Sequence, residues 1–104
     1  MAVSGLITKE TIRNTLIKNR ELLEQYNVIK IGIFGSYVRE EPTKNSDIDL
    51  LIETKMGMDL MAIVDLEMRL SDILGRKVDL VSAKGLNKYL RPYVMKEVEF
   101  IEGF

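Results

Sequence analysis

The spacing of hydrophobic residues along the chain predicts three helical segments. Apolar residues recur every three or four positions from Thr8 to Tyr26 and again from Gly57 to Leu74, as they do on one face of an amphipathic helix. The residues predicted to face inward in the second segment are Leu60, Ile63, Leu66, Leu70 and Ile73. The residues expected at helix ends are Asn27, Asp59 and Gly75. Leu86 to Val98 is also helical in pattern, but Pro92 disfavours helical geometry at the residue before it and interrupts the segment.

Three short runs rich in β-branched residues predict strands. They extend from Val28 to Phe34, from Asp47 to Glu53 and from Lys77 to Val81. Turn-forming residues occupy positions 40–46, and Glu99 to Phe104 is either a terminal strand or a tail. Between the first two strands, Tyr37 to Arg39 has room for about one helical turn. With that turn counted, the order αβαβαβα predicts an α/β (α+β) fold in which helices cover a small sheet.

Composition narrows the chemistry that this fold can perform. With 104 residues, 46% of them hydrophobic, the chain can bury one core, so we expect a single domain over residues 1–104. It contains no cysteine and no histidine, which excludes disulfide scaffolds, zinc fingers and histidine-dependent catalytic triads. Catalysis would therefore depend on carboxylates, lysines, tyrosines, hydroxyls, backbone amides or hard metal ions bound by oxygen.

Charge and hydropathy bear on partners and location. The formal net charge of -1 disfavours free nucleic acid as a partner. No run of about 18 apolar residues occurs, and the first residues lack the pattern of a signal peptide. We therefore expect a cytoplasmic protein that does not bind membranes, and the composition leaves self-association open.

Two aspartates mark the start of the second predicted strand. Because side chains alternate along a strand, Asp47 and Asp49 point to the same side, about 6 to 7 Å apart. On their own they fit a purely structural role equally well, in which Asp47 caps the turn at Ser46 and Asp49 faces water. Asp79 changes this balance, since it is another lone carboxylate in an apolar strand. If the third strand neighbours the second, the three carboxylates describe an oxygen-lined magnesium site for two ions.

Gly35 and Ser36 follow the first predicted strand directly. A small-residue turn at this place allows phosphate to approach the backbone closely, although an ordinary turn would have the same composition. The pair is informative because of its fixed spacing to the aspartates, with ten residues between Ser36 and Asp47.

The combination of Gly35-Ser36, ten residues, Asp47-x-Asp49 and a later Asp79 in a strand resembles the DNA polymerase β-like nucleotidyltransferase superfamily. The short chain is similar to the minimal nucleotidyltransferase group, whose fold has a small mixed sheet. The resemblance implies that Gly35 and Ser36 grip a nucleoside triphosphate and that Asp47 and Asp49 carry two divalent ions. It also implies that Asp79 completes the metal site and helps to activate the attacking hydroxyl.

Arg39 is a further candidate for phosphate contact. Many members of the family that this chain resembles have Ala-Arg-Gly at this point, and here the segment is Val38-Arg39-Glu40. The resemblance implies an antitoxin that transfers AMP from ATP to a tyrosine of a partner toxin with a HEPN domain. Two alternatives are an antitoxin that blocks its toxin by binding alone, and nucleotidyl transfer to a small molecule or RNA. The intact aspartates disfavour the first, and the lack of a second domain for an acceptor disfavours the second.

Overall fold

A four-stranded mixed sheet organises the part of the chain that the computed structural model describes, residues 7–39 and 46–102. The strands are β1 (Val28–Phe34), β2 (Ile48–Thr54), β3 (Val78–Ser82) and β4 (Glu99–Phe100). Their spatial order is β3-β2-β1-β4, in which β1 is antiparallel to both of its neighbours and β2 is parallel to β3. The predicted fold class is confirmed, and the undecided C-terminal segment contributes an edge strand.

Within the described residues, four helices accompany the sheet: α1 (Lys9–Lys18), α2 (Arg20–Gln25), α3 (Leu60–Leu74) and α4 (Arg91–Glu97). Short 3-10 turns follow β1 at Gly35–Tyr37 and β3 at Ala83–Gly85. In the described ranges, no helix is both long enough and apolar enough to cross a bilayer. The predicted turn at 40–46 falls, except for Ser46, outside the described residues.

The prediction of one helix from Thr8 to Tyr26 is wrong in one respect, because the segment is broken at Asn19. The backbone of Asn19 leaves helical geometry at ψ 24°, and its side-chain amide donates to the carbonyl of Thr15 at 2.8 Å. This local hydrogen bond competes with the regular helical pattern. Asn27 ends α2 as predicted, in the left-handed conformation with φ 63°.

Helix α3 has the predicted ends, but its buried face is rotated from the predicted one. The Asp59 carboxylate accepts the N–H of Ala62 at 2.8 Å, and Gly75 ends the helix with φ 72°. The buried residues are spaced by four positions, at Leu66, Leu70 and Leu74. Two residues of the predicted inner face flank this row and are exposed instead, Leu60 by 74% and Ile73 by 39%.

The core lies on one face of the sheet, under the helices. The strand residues that contribute to it are Val28, Ile31, Ile33, Ile48, Leu50, Ile52, Val78 and Leu80. From the helices, Ile12, Leu16, Leu23, Leu66, Leu70 and Leu74 pack against them. Since side chains alternate along a strand, the odd-numbered positions at the start of β2 and β3 point away from this core. This alternation places Asp49 and Asp79 on the opposite face of the sheet, near the start of the two strands.

Candidate active site

The central pair of the site is Asp49 and Asp79, which are direct partners in the parallel β2–β3 register. The predicted cluster of carboxylates required the third strand to lie beside the second, and this adjacency is confirmed. Asp47 lies just before β2, with a carboxylate oxygen 3.9 Å from the ammonium nitrogen of Lys77. The three predicted aspartates are therefore at the starts of the two parallel strands, with Asp49 and Asp79 side by side.

The electrostatics of this group centre on Asp49, which is half-buried. The pKa of Asp49 is raised to about 6, first by burial and then by the negative charges of Asp79 and Asp47. The guanidinium of Arg39 acts in the opposite direction. Asp49 is thus an acid whose negative charge is unfavourable in the bare fold, and a nearby cation would relieve this cost.

Gly35 packs directly against the Asp49 carboxylate. Phe34, the last residue of β1, pairs with Asp49, so the following turn begins beside it. Gly35 has a φ of 80°, and a methyl group on its Cα would lie 2.1 Å from Oδ2 of Asp49. Only glycine fits this position. Another residue would be strained at this φ, and its Cβ would displace the carboxylate. Ser36, the next residue in the 3-10 turn, is half-buried.

Glu97, the last residue of α4, completes the site and was not predicted from the sequence. Its Oε2 accepts the backbone N–H of Gly35 at 3.0 Å, and its Oε1 lies 2.6 Å from Nη1 of Arg39. Arg39 is half-exposed and held beside the turn by this ion pair. The sequence gives no signal for this contact, because Glu97 is separated from Gly35 by 62 positions and lies in an ordinary amphipathic segment.

Comparison with protein families decides the identity of this arrangement. Residues 10–102 match the family described as "Polymerase beta, Nucleotidyltransferase". The chain belongs to this nucleotidyltransferase family. The match covers all the described strands and the segments that hold the aspartates, the Gly-Ser turn and Glu97. The predicted resemblance is confirmed.

Three individual proteins are similar to this nucleotidyltransferase over most of its length. A candidate protein adenylyltransferase of Methanocaldococcus jannaschii is 43% identical over 93 residues, which cover 88% of this chain and 92% of that protein. The protein adenylyltransferase MntA of Thermococcus cleftensis is 36% identical over 98 residues, covering 93% of this chain and 99% of that protein. A chain in a crystal structure of a toxin-antitoxin with AMP-PNP is 29% identical with a TM-score of 0.76, covering 88% of this chain and 73% of that one.

The donor set of this nucleotidyltransferase fits a hard divalent ion such as Mg²⁺. Asp47, Asp49 and Asp79 offer only carboxylate oxygens, which are the ligands that Mg²⁺ prefers. Within residues 7–39 and 46–102, no three acidic side chains are already grouped closely enough to enclose an ion. The fit is therefore chemical: burial and the repulsion from Asp79 and Asp47 raise the pKa of Asp49, and a cation near these carboxylates would offset both costs.

A separate concavity lies at the opposite end of β1 and does not belong to this site. It measures about 430 Å³ and is lined by Glu24, Asn27, Val28, Ile29 and Lys55.

Proposed function

We propose that this chain transfers AMP from ATP to a hydroxyl, that of a tyrosine, on a partner toxin with a HEPN domain, and that it acts as the antitoxin of that toxin. The observation that carries the proposal is the alignment of Asp49 with Asp79 beside the Gly35 turn. Membership of a nucleotidyltransferase family supports the reaction class. The names of the two relatives support a protein as acceptor, and the toxin-antitoxin complex supports a toxin as partner.

In the proposed reaction, the acceptor hydroxyl attacks the α-phosphorus of ATP. The new bond joins the acceptor oxygen to AMP, the bond to the bridging oxygen breaks, and pyrophosphate leaves with that electron pair. Asp79 accepts the proton of the attacking hydroxyl, as a positioned general base can. Gly35 and Ser36 hold the triphosphate close to the backbone, and Arg39 contributes a positive charge beside it.

Asp47, Asp49 and Asp79 are the residues that would hold two Mg²⁺ ions. When bound, such ions neutralise charge on a triphosphate and lower the pKa of a hydroxyl. The chain's own contribution is to keep Asp49 and Asp79 level on adjacent strands, with Gly35 packed against Asp49. The chain would therefore catalyse the reaction mainly by holding the reacting groups in position.

The partner supplies what the site does not, a surface that orients the acceptor. Asp47 and Asp79 are exposed and Asp49 is half-buried, so a docking protein can reach this part of the sheet. A protein that docks across this face and presents a tyrosine would complete the geometry. Free RNA fits less well, because the overall charge of the chain is not basic.

The test is to incubate the purified chain with labelled ATP, Mg²⁺ and, in separate reactions, the product of the adjacent gene, bulk RNA or an aminoglycoside, and to map modified protein residues by mass spectrometry. The expected result is AMP on a tyrosine of that protein. Asp79→Asn should lose the label, whereas Asp72→Asn, an exposed acid on α3, should keep it. Label on RNA or on an aminoglycoside, and none on the partner, would contradict the proposal. A stable complex without label would favour an antitoxin that acts by binding alone.

A further inference from the structure

Glu97, at the end of the C-terminal helix, contacts Gly35 and Arg39, two of the residues proposed to bind the triphosphate. One carboxylate oxygen accepts the Gly35 N–H at 3.0 Å, and the other lies 2.6 Å from the Arg39 guanidinium. Both distances are those of ordinary charge-assisted hydrogen bonds. The Glu97 side chain is only 24% exposed, so these bonds are partly shielded from water.

The position of Glu97 is fixed by the residues that follow it. Strand β4 begins two residues later and pairs with β1 at Gly32 and Ile33. The N–H of Ile101 then bonds to the carbonyl of Ile31 at 2.9 Å. Gly32 also allows the chain to approach, because a methyl group there would lie 2.6 Å from Cγ2 of Val98. Glu97 therefore stands on a segment that is anchored to the same strand that leads into the Gly35 turn.

A carboxylate beside a triphosphate site would repel the negative charge of the phosphates. Glu97 adds to the negative potential around Asp49. Its presence is explained if it orients the site: its bond to the Gly35 N–H fixes the backbone of the turn, and its bond to Arg39 limits the rotamers of the guanidinium. A guanidinium has five N–H donors, so a bond to Glu97 is compatible with further bonds to phosphate oxygens.

We infer that Glu97 is a positioning residue of the nucleotide site, which holds the Gly35 turn and the Arg39 guanidinium in the orientation that binds the triphosphate. The inference rests on the proposed function, since Gly35 and Arg39 are its nucleotide-binding residues. It assigns to α4 a role in substrate binding in addition to its place in the fold.

The test compares Glu97→Ala and Glu97→Gln with the unaltered protein, using Mg-ATP binding by titration calorimetry. The alanine variant should bind Mg-ATP on the order of tenfold more weakly, because it loses both bonds. The glutamine variant should bind with an intermediate affinity, since its amide oxygen can still accept the Gly35 N–H. KM for ATP should rise in the same order, with kcat much less affected.

The matched control is Glu99→Gln, which removes an acid two positions away whose ion pair, with Lys9 at 2.9 Å, lies outside the site. It should leave Mg-ATP affinity unchanged. Glu97 acts through Arg39, so Glu97→Ala should have a smaller effect in an Arg39→Ala background than in the unaltered chain. Thermal unfolding separates folding from binding, and if the alanine variant does not fold, the glutamine variant decides the question.

Two results would overturn the inference while leaving the proposed function in place. The first is an alanine variant that binds Mg-ATP as the unaltered protein does. The second is tighter binding, which would mean that the Glu97 carboxylate occupies the place of a phosphate and competes with it. If the unaltered protein binds no Mg-ATP, the proposed function fails and this inference fails with it.

Discussion

The contact between Gly35 and Asp49 makes a quantitative prediction about a single methyl group. Gly35→Ala would place Cβ 2.1 Å from Oδ2 and 3.0 Å from Cγ of the Asp49 carboxyl group. The carboxyl group has to move, and its own Cβ, 3.2 Å from the new methyl, is attached to the backbone of β2 and can shift only with the strand. The variant should therefore lose stability and displace the proposed metal ligand at the same time.

The structure offers a control that separates these two effects. Gly75 has nearly the same backbone conformation, with φ 72° against 80° for Gly35, but a methyl group there meets no atom within 4 Å. Gly75→Ala should cost about 1 to 2 kcal/mol of unfolding free energy, the usual cost of a left-handed conformation for a residue other than glycine. Gly35→Ala should cost a further ~1 to 3 kcal/mol, as expected for an overpacked site.

The assays are urea unfolding for stability and titration calorimetry for Mg-ATP binding. Gly75→Ala should keep the Mg-ATP affinity of the unaltered protein, whereas Gly35→Ala should lose most of it. The reasoning would be refuted if the two variants were equally stable and bound Mg-ATP equally well, because the Asp49 carboxylate would then be free to move without consequence.

Four further predictions concern the aspartates and one turn. Replacing Asp47 and Asp49 together by asparagine should abolish Mg²⁺-dependent ATP binding, and unchanged affinity in calorimetry would contradict their role. Asp79→Asn should keep Mg-ATP affinity within a few-fold but slow AMP transfer by about 10² to 10⁴, as for loss of a general base; transfer at the original rate, by mass spectrometry, would make Asp79 structural. Because the pKa of Asp49 is about 6 in the folded state and 3.8 ordinarily, the folded state binds more protons between these values. Without Mg²⁺, stability should fall by about 1 kcal/mol as pH rises through this window, after allowance for solvent screening. Asp49→Asn should flatten this dependence in urea unfolding, and a parallel curve would contradict the assignment. Asn27→Ala should cost about 1 to 2 kcal/mol in the same assay, because Asn27 has a positive φ, and an unchanged stability would show that the turn adapts.

Local patterns predicted the strands well because each strand is defined by its own residues. The bounds of β1 are those predicted, and β2 and β3 are each displaced by one residue. The alternation of Asp47, Ile48 and Asp49 was enough to predict that the two aspartates point to one side of β2 and Ile48 to the other, whichever strands lie beside it. The order of the strands could not be predicted in the same way, because pairing depends on contacts between distant parts of the chain. The neighbouring positions of β2 and β3 were therefore assumed.

Errors occurred where tertiary contacts override a local pattern. The hydrophobic spacing does not reveal that Asn19 bonds back to Thr15 and breaks the first helix. It also includes Leu60 in the inner face of α3, although the sheet covers only the row of Leu66 and Leu70. Glu97 was not predicted, because its role depends on an edge strand of two residues returning to β1. A short strand of this kind leaves almost no periodic signal.

The direct pairing of Asp49 with Asp79 has a consequence for how the length of this chain can change. One residue inserted within β3 ahead of Asp79, or deleted there, would turn that carboxylate toward the core, because the side-chain period of a strand is two. Changing the length by two residues would restore the face but move the carboxylate by about 6.6 Å along the strand. Substitutions at other strand positions can thus preserve the site, whereas insertions and deletions in the first residues of β2 and β3 cannot.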